Sequence, residues 1–233
     1  MTEDGTAVDR TAAYTTVRSD VTDMVPGAAM SVLDVGCSNG ALGASLRGEK
    51  AGRQVWGIEF DAEFARQASE RLDHVLHANL EQFDWESGLG TQRFDCVVFA
   101  DVLEHLSDPP RHVRGAAARL NPGGCVVVSL PNIRHVSALA SIYGRGHFPR
   151  RERGLFDGTH LRWFTLADAR SMLREAGLEV EAESYAMRAG DRGGGRLNRL
   201  LNRLPQAAKG AAPLREFLTY QFCLRARPAA GRS

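Results

Sequence analysis

Residues Val32–Gly43 read VLDVGCSNGALG. An apolar run closes on an acid, Asp34, and a turn carrying Gly36, Gly40 and Gly43 leads into a helix-like segment. Ser38 and Asn39 lie inside the turn, where short polar side chains hydrogen-bond a ligand or cap the next helix. The pattern describes a buried strand, a turn that lets backbone approach a ligand closely, and a helix N-terminus with free N–H groups. An ordinary strand-to-helix connection shares that pattern, so the surrounding sequence has to decide between them.

Some twenty residues on, a second apolar run, QVWGIEFD, ends at Glu59 and Asp61. An acid at the end of the second strand of a doubly wound fold accepts hydrogen bonds from ribose hydroxyls. The dinucleotide spacing G-x-G-x-x-G is not met, because Ser38 holds its second glycine position.

The rest of the chain repeats this alternation. Strands are expected at 31–35, 54–59, 75–78, 94–100 and 124–130, with helices at 41–48, 62–71 and 112–120 between them. The fourth and fifth runs, FDCVVFA and GCVVVSL, are continuously apolar, as strands covered on both faces are. Asn121-Pro122-Gly123-Gly124 reads as a helix stop. A later helix, 166–176, is capped by Thr165 and closed by Gly177. Alternating strands follow at 179–185 and 220–226, and a short helix is expected at 14–24, before Pro26. Alternation of this kind predicts an α/β fold, a mostly parallel sheet with helices on both faces.

A chain of 233 residues with 43% hydrophobic and 24% charged residues is one generous globular domain. Its net charge of +1 argues against wrapping nucleic acid by bulk electrostatics. Charge is concentrated locally, since Arg188 to Arg215 carries seven basic residues against the single acid Asp191. Cys37, Cys96, Cys125 and Cys223 form no C-x-x-C pair, which disfavours a zinc or redox motif and suits buried free thiols. The polar start MTEDGTAVDR has no signal-peptide character, and no apolar run approaches membrane-span length, so a cytoplasmic location is expected.

Five ordered runs, VLDVGCSNGALG, VWGIEFD, FDCVVFADVLEHLSDP, LNPGGCVVVSLPN and DGTHLRWFT, make the chain resemble the class I S-adenosylmethionine (SAM) methyltransferases from about Tyr14 to Ala226. The subgroup it looks like modifies small molecules and glycans. The resemblance implies a Rossmann-like, seven-stranded sheet with the last strand antiparallel. It further implies that Asp34, Gly36, Ser38 and Gly40 surround the methionine end of SAM, that Glu59 holds the ribose hydroxyls and that Phe60 flanks the adenine. Asn79 stands where the family often has Asp; with Leu80 it would meet the adenine edge and face. For Phe60 and Leu80 plain core packing is the competing reading.

Asp101 follows directly on the fourth strand, so it lies at the carboxyl end of the sheet, where open α/β folds bind ligands, and it is expected to contact the cofactor. Glu104 and His105 stand one helical turn further on, and His160 comes much later. Two carboxylates and two imidazoles suit a divalent ion such as Mg²⁺ or Mn²⁺. A similar acid-x-x-Glu-His plus a later His marks the small-RNA 3′-end 2′-O-methyltransferases, and a related one occurs in ubiquinone-pathway O-methyltransferases. His105 as general base, assisted by Glu104 and His160, is a second reading, and helix capping or loop support a third.

Three further segments are singled out. Residues 134–158 form a lid-like insertion with Tyr143, His147, Phe148 and Phe156, and its arginines suit an acidic substrate or a solvated face. In THLRWFT the aromatic and Arg side chains either pin a loop or close the substrate pocket, while Asn132 either orients a ligand or ends a strand. Residues 186–215 form a basic insertion in which Leu197, Leu200, Leu201 and Leu204 recur at helical spacing opposite arginines. Packing over the sheet edge or a homodimer contact is the first expectation there, and an acidic membrane surface the other. Residues 1–12 read as a flexible tail, and Tyr14 and Arg18 are placed to cover the SAM pocket. The sequence thus predicts a SAM-dependent methyltransferase acting on a hydroxyl of a small molecule or sugar. The alternatives are N-methylation of an amine and a non-catalytic SAM-binding partner protein; no nucleic acid partner is expected.

Overall fold

The computed structural model describes residues 18–190, 195–212 and 214–229. The expected tail at 1–12 and Tyr14 lie outside the described residues. Seven strands form one sheet in the order β3-β2-β1-β4-β5-β7-β6. They are β1 (Ser31–Val35), β2 (Gln54–Glu59), β3 (His74–His77), β4 (Phe94–Ala100), β5 (Leu120–Pro131), β6 (Leu178–Met187) and β7 (Thr219–Pro228). β1 to β5 pair in parallel, whereas β7 runs antiparallel to both β5 and β6. The expected mostly parallel sheet with an antiparallel last strand is therefore what the chain forms.

Period-two alternation in the central strands gives two cores, one on each face. Leu33, Val35, Val97, Phe99, Val126 and Val128 face the first, and Val32, Cys96, Val98, Cys125 and Val127 the second. All are fully or almost fully buried, which is why these runs read as continuously apolar. The first face is covered by α4 (Pro109–Ala118) and α6 (Leu166–Glu175), through Val113, Ala116, Ala169 and Leu173. The second is covered by α1 (Ser19–Thr22), α2 (Ala41–Glu49) and α3 (Ala62–Ser69), through Val21, Leu42, Leu46 and Ala68.

Local chemistry sets where these elements begin. The Asp61 side chain accepts from the N–H groups of Glu63 and Phe64, starting α3. Thr165 and Asp168 form a reciprocal capping box at α6. α4 starts three residues before the His112 expected from the sequence, because Asp108 caps it and prolines occupy its first positions. β5 likewise starts at Leu120, pairing with Phe94 before a register shift that absorbs the Asn121–Gly124 turn.

The insertion at 134–158 holds α5 (Val136–Leu139), a π-helical turn over Ala140–Gly144 and an irregular loop. Ala138, Leu155 and Phe156 pack on Tyr220 as a separate apolar cluster. After β6 come α7 (Arg196–Asn202), α8 (Gln206–Lys209) and α9 (Leu214–Leu218). Among the described residues, no helix is long and apolar enough to cross a membrane.

Candidate active site at the carboxyl end of the sheet

The turn after β1 is shaped by positive backbone angles. Gly36 (φ +71°) and Gly40 (φ +79°) occupy the left-handed region, and a Cβ on Gly36 would stand 2.5 Å from Val102. Ser38 adopts φ +48° without being glycine, a strained conformation of the kind that clusters at ligand sites. Its backbone N–H donates to Glu59 Oε2 at 2.8 Å, and the N–H of Asp61 donates to the other Glu59 oxygen at 2.8 Å. The glycine turn and the strand-end acid are thereby one unit.

Asp34 is 1% exposed, and burial with the nearby Glu59 charge pushes its carboxyl up to about 7. Asp34 Oδ2 and Ser38 Oγ are buried without a hydrogen-bond partner among the described residues. Unsatisfied buried polar atoms are costly, so a pair of them beside a strained turn fits a ligand that supplies the missing donors and acceptors. Phe60 is 67% exposed, which rules out core packing for it, whereas Leu80 is buried in the first core. Asn79 accepts from the N–H of Glu81 and caps the short turn Leu80–Gln82.

Beyond β4 a second group forms. Asp101 sits at φ +58° and is gripped by Arg18 and by the Gln221 amide. Both partners also reach Ser129 Oγ, each at 2.9 Å. Glu104 is 1% exposed, with its Oε2 unpartnered; burial, then the Asp101 charge, raises its carboxyl well above the usual range. Its carbonyl accepts the N–H groups of Leu161 and Arg162 at 2.8 and 3.0 Å, so the backbone ties DVLEH to HLRWFT. That tie brings His160 to His105, with ring centroids 4.8 Å apart and edge-on.

Ligand atoms of Glu104, His105 and His160 lie within 4.8 Å of one another. Asp101, the fourth residue expected in this set, is outside it because Arg18 and Gln221 hold its carboxylate. His160 is buried with Nδ1 unpartnered, and burial followed by the His105 charge lowers its pKa, favouring the neutral imidazole. His105 Nδ1 lies 3.3 Å from the Thr159 carbonyl, which only accepts, so Nδ1 is the donor in this contact. The Thr159 hydroxyl, 3.2 Å from the same nitrogen, donates to Asp157.

Other expected contributors serve the scaffold. Asn132 uses its amide on the carbonyls of Glu216 and Thr219 and its oxygen on the N–H of Arg134. Trp163 donates to the Leu155 carbonyl and stacks edge-on against Phe148, pinning the insertion beside His160. Ser129, Thr159, Asp157 and Gln221 were not among the residues expected from sequence. Ser129 had a visible signal, a lone hydroxyl in the apolar run GCVVVSL; the others depend on long-range pairing.

A methyltransferase-domain family model matches residues 10–183. The chain is 32% identical over 164 residues to a ubiquinone biosynthesis O-methyltransferase of Thiobacillus denitrificans, covering 67% of each chain. It is 31% identical over 163 residues to the protein of that name from Nitrosospira multiformis, covering 66% of this chain and 64% of that one. With a third such relative, from Albidiferax ferrireducens, the match covers 50% of the relative, so the chain spans between half and two thirds of these proteins.

Among solved structures, a SAM-dependent methyltransferase of Thermotoga maritima, described as a possible histamine N-methyltransferase, aligns with TM-score 0.61 at 16% identity, covering 93% of this chain and 89% of that one. Magnesium protoporphyrin IX methyltransferase of Synechocystis with bound SAH aligns with TM-score 0.55 at 16% identity, covering 85% and 74%. The chain belongs to the methyltransferase-domain family.

Proposed function

We propose that this methyltransferase moves the methyl group of SAM to a hydroxyl oxygen of a small molecule or sugar. The observation that carries the reading is the meeting of Glu104, His105 and His160 at the carboxyl end of β4, with His105 Nδ1 committed to the Thr159 carbonyl. The relatives are O-methyltransferases by name, which supports oxygen as the acceptor atom.

Asp34, Gly36, Ser38 and Gly40 would hold the methionine end of SAM, Glu59 the ribose, and Phe60, Asn79 and Leu80 the adenine. Each Glu59 oxygen already accepts one backbone N–H and keeps a second lone pair for a ribose hydroxyl. Asp34 Oδ2 suits the methionine ammonium, the kind of donor its buried oxygen lacks. Asp101, held by Arg18 and Gln221, would lie at the SAM end of the site as a further cofactor contact.

Methyl transfer is an in-line displacement, so most of the catalytic effect comes from holding oxygen, methyl carbon and sulfur in line. The remaining requirement is removal of the hydroxyl proton. His105 Nε2, the ring nitrogen not engaged by Thr159, would be the acceptor for it, and the resulting imidazolium would be supported by the Thr159–Asp157 contact.

The unpartnered Glu104 Oε2 and His160 Nδ1 also fit a divalent ion held by Glu104, His105 and His160. Such an ion would acidify a bound hydroxyl, and two imidazoles favour Mn²⁺ over Mg²⁺. The test is the initial rate of SAH formation across phenols, catechols and sugars, before and after prolonged chelation and Mn²⁺ return. Methylated oxygen products support the reading, and products methylated only on nitrogen overturn it. Rates unchanged by chelation leave His105 acting without an ion.

A further inference from the structure

Helix α7 is inverted relative to an ordinary surface helix. Its polar side faces the protein: Asn202 accepts from the Met187 N–H at 2.9 Å and donates to the Met187 carbonyl at 2.7 Å, while Asn198 accepts from the Ala189 N–H at 2.8 Å. Leu197 and Leu200 turn outward, 56% and 62% exposed, while Leu201 is half-buried, so the expected packing of the outward pair over the sheet edge is not formed. Arg196, Arg199 and Arg203 are exposed beside them and line one shallow hollow with the two leucines. Among the described residues these three arginines have no carboxylate partner.

Exposed leucines set among arginines call for a partner that is apolar and negatively charged at once. A second copy of the chain does not meet that need, because a two-fold contact through α7 would set arginines against arginines. Nucleic acid supplies the charge but has no use for the leucines. We propose that α7 docks this protein on an anionic phospholipid bilayer, with Leu197 and Leu200 entering the acyl boundary and the arginines meeting lipid phosphates.

The position of the helix gives the contact an orientation. β6 is antiparallel to β7, which is antiparallel to β5, so β6 ends at the same end of the sheet as β1 and β4. Docking through α7 therefore sets the end that carries the candidate active site against the lipid surface.

The test is sedimentation of the full chain with vesicles of phosphatidylcholine alone or mixed with phosphatidylglycerol. Binding is expected only with phosphatidylglycerol and is expected to fade at high salt, a readout that needs no variant. Arg199→Glu/Arg203→Glu and Leu197→Ser/Leu200→Ser should each weaken partitioning. An arginine at an anionic surface contributes roughly fivefold to partitioning. Retained SAM binding by the variants shows that they are folded. The proposal is overturned if the chain ignores phosphatidylglycerol vesicles, if both double variants bind as the parent does, or if the leucine pair instead dissolves a dimer seen in sedimentation equilibrium.

Discussion

The backbone N–H of Ser38 donates a 2.8 Å hydrogen bond to Glu59 Oε2 across 21 residues of sequence. It fixes the turn after β1 to the end of β2, so an acid assigned to ribose recognition also holds the loop assigned to the methionine end. Glu59→Ala should remove both roles. A hydrogen bond to a charged group is worth about 1.5–3 kcal/mol, on the order of ten- to a hundredfold in Kd. Calorimetric titration with SAM checks this, and an unchanged Kd would remove Glu59 from the site.

Gly36→Ala tests the turn itself. Its φ of +71° and the 2.5 Å approach of Val102 leave no comfortable place for a methyl group. The expected loss is about 1–3 kcal/mol of stability, read as a lowered Tm, with SAM affinity reduced alongside. Gly27→Ala, where nothing lies within 4 Å of the new carbon, should leave SAM affinity unchanged.

Asp34 makes the account sensitive to pH. Burial and the Glu59 charge push its carboxyl up to about 7, so in the free protein it is protonated below that pH. A raised carboxyl favours the folded state at low pH, and that contribution is lost as pH rises through about 7. SAM places a cation where the account assigns the methionine ammonium, which favours the carboxylate. Binding should therefore release a proton below about pH 7, and affinity should rise with pH and level off above it. Calorimetry in buffers of different ionisation enthalpy measures the proton. Asp34→Asn should bind weakly and without pH dependence; an equal proton release from that variant would clear Asp34 of the role.

Thr165→Ala removes the cap of α6, the helix that carries Ala169 and Leu173 into the first core. A loss of about 1 kcal/mol is expected in denaturant unfolding, with the slope unchanged. SAM affinity should stay as it was, since the cap lies on the scaffold. A collapse of SAM binding would mean that α6 positions the site more directly than its contacts suggest.

Much of the scaffold was legible because its signals are local. The bounds of β1, β2 and β4 agree with the apolar runs read from sequence, since strands buried on both faces leave little room for error. The start of α4 was also written in the sequence, as Asp108-Pro109-Pro110, but the apolar periodicity begins later and drew the boundary to His112. The site is a different matter. That Glu104, His105 and His160 converge depends on two backbone hydrogen bonds, from the N–H groups of Leu161 and Arg162 to the distant Glu104 carbonyl. That Asp101 belongs to Arg18 and Gln221 depends on the register of β7 against β5, which pairs Pro131 with Gln221. The outward face of α7 is set by two asparagines meeting free backbone groups after β6, something leucine spacing does not reveal.

The central claim is that Glu104, His105 and His160 act on an acceptor hydroxyl beside bound SAM. The most direct measurement is the single-turnover rate of methyl transfer to a hydroxyl acceptor that the parent protein accepts, compared with His105→Ala under saturating SAM. The account predicts a rate lower by about two to four orders of magnitude, as removal of a general base gives, with SAM affinity unchanged. A His105→Ala variant that methylates the hydroxyl at the parent rate would contradict it.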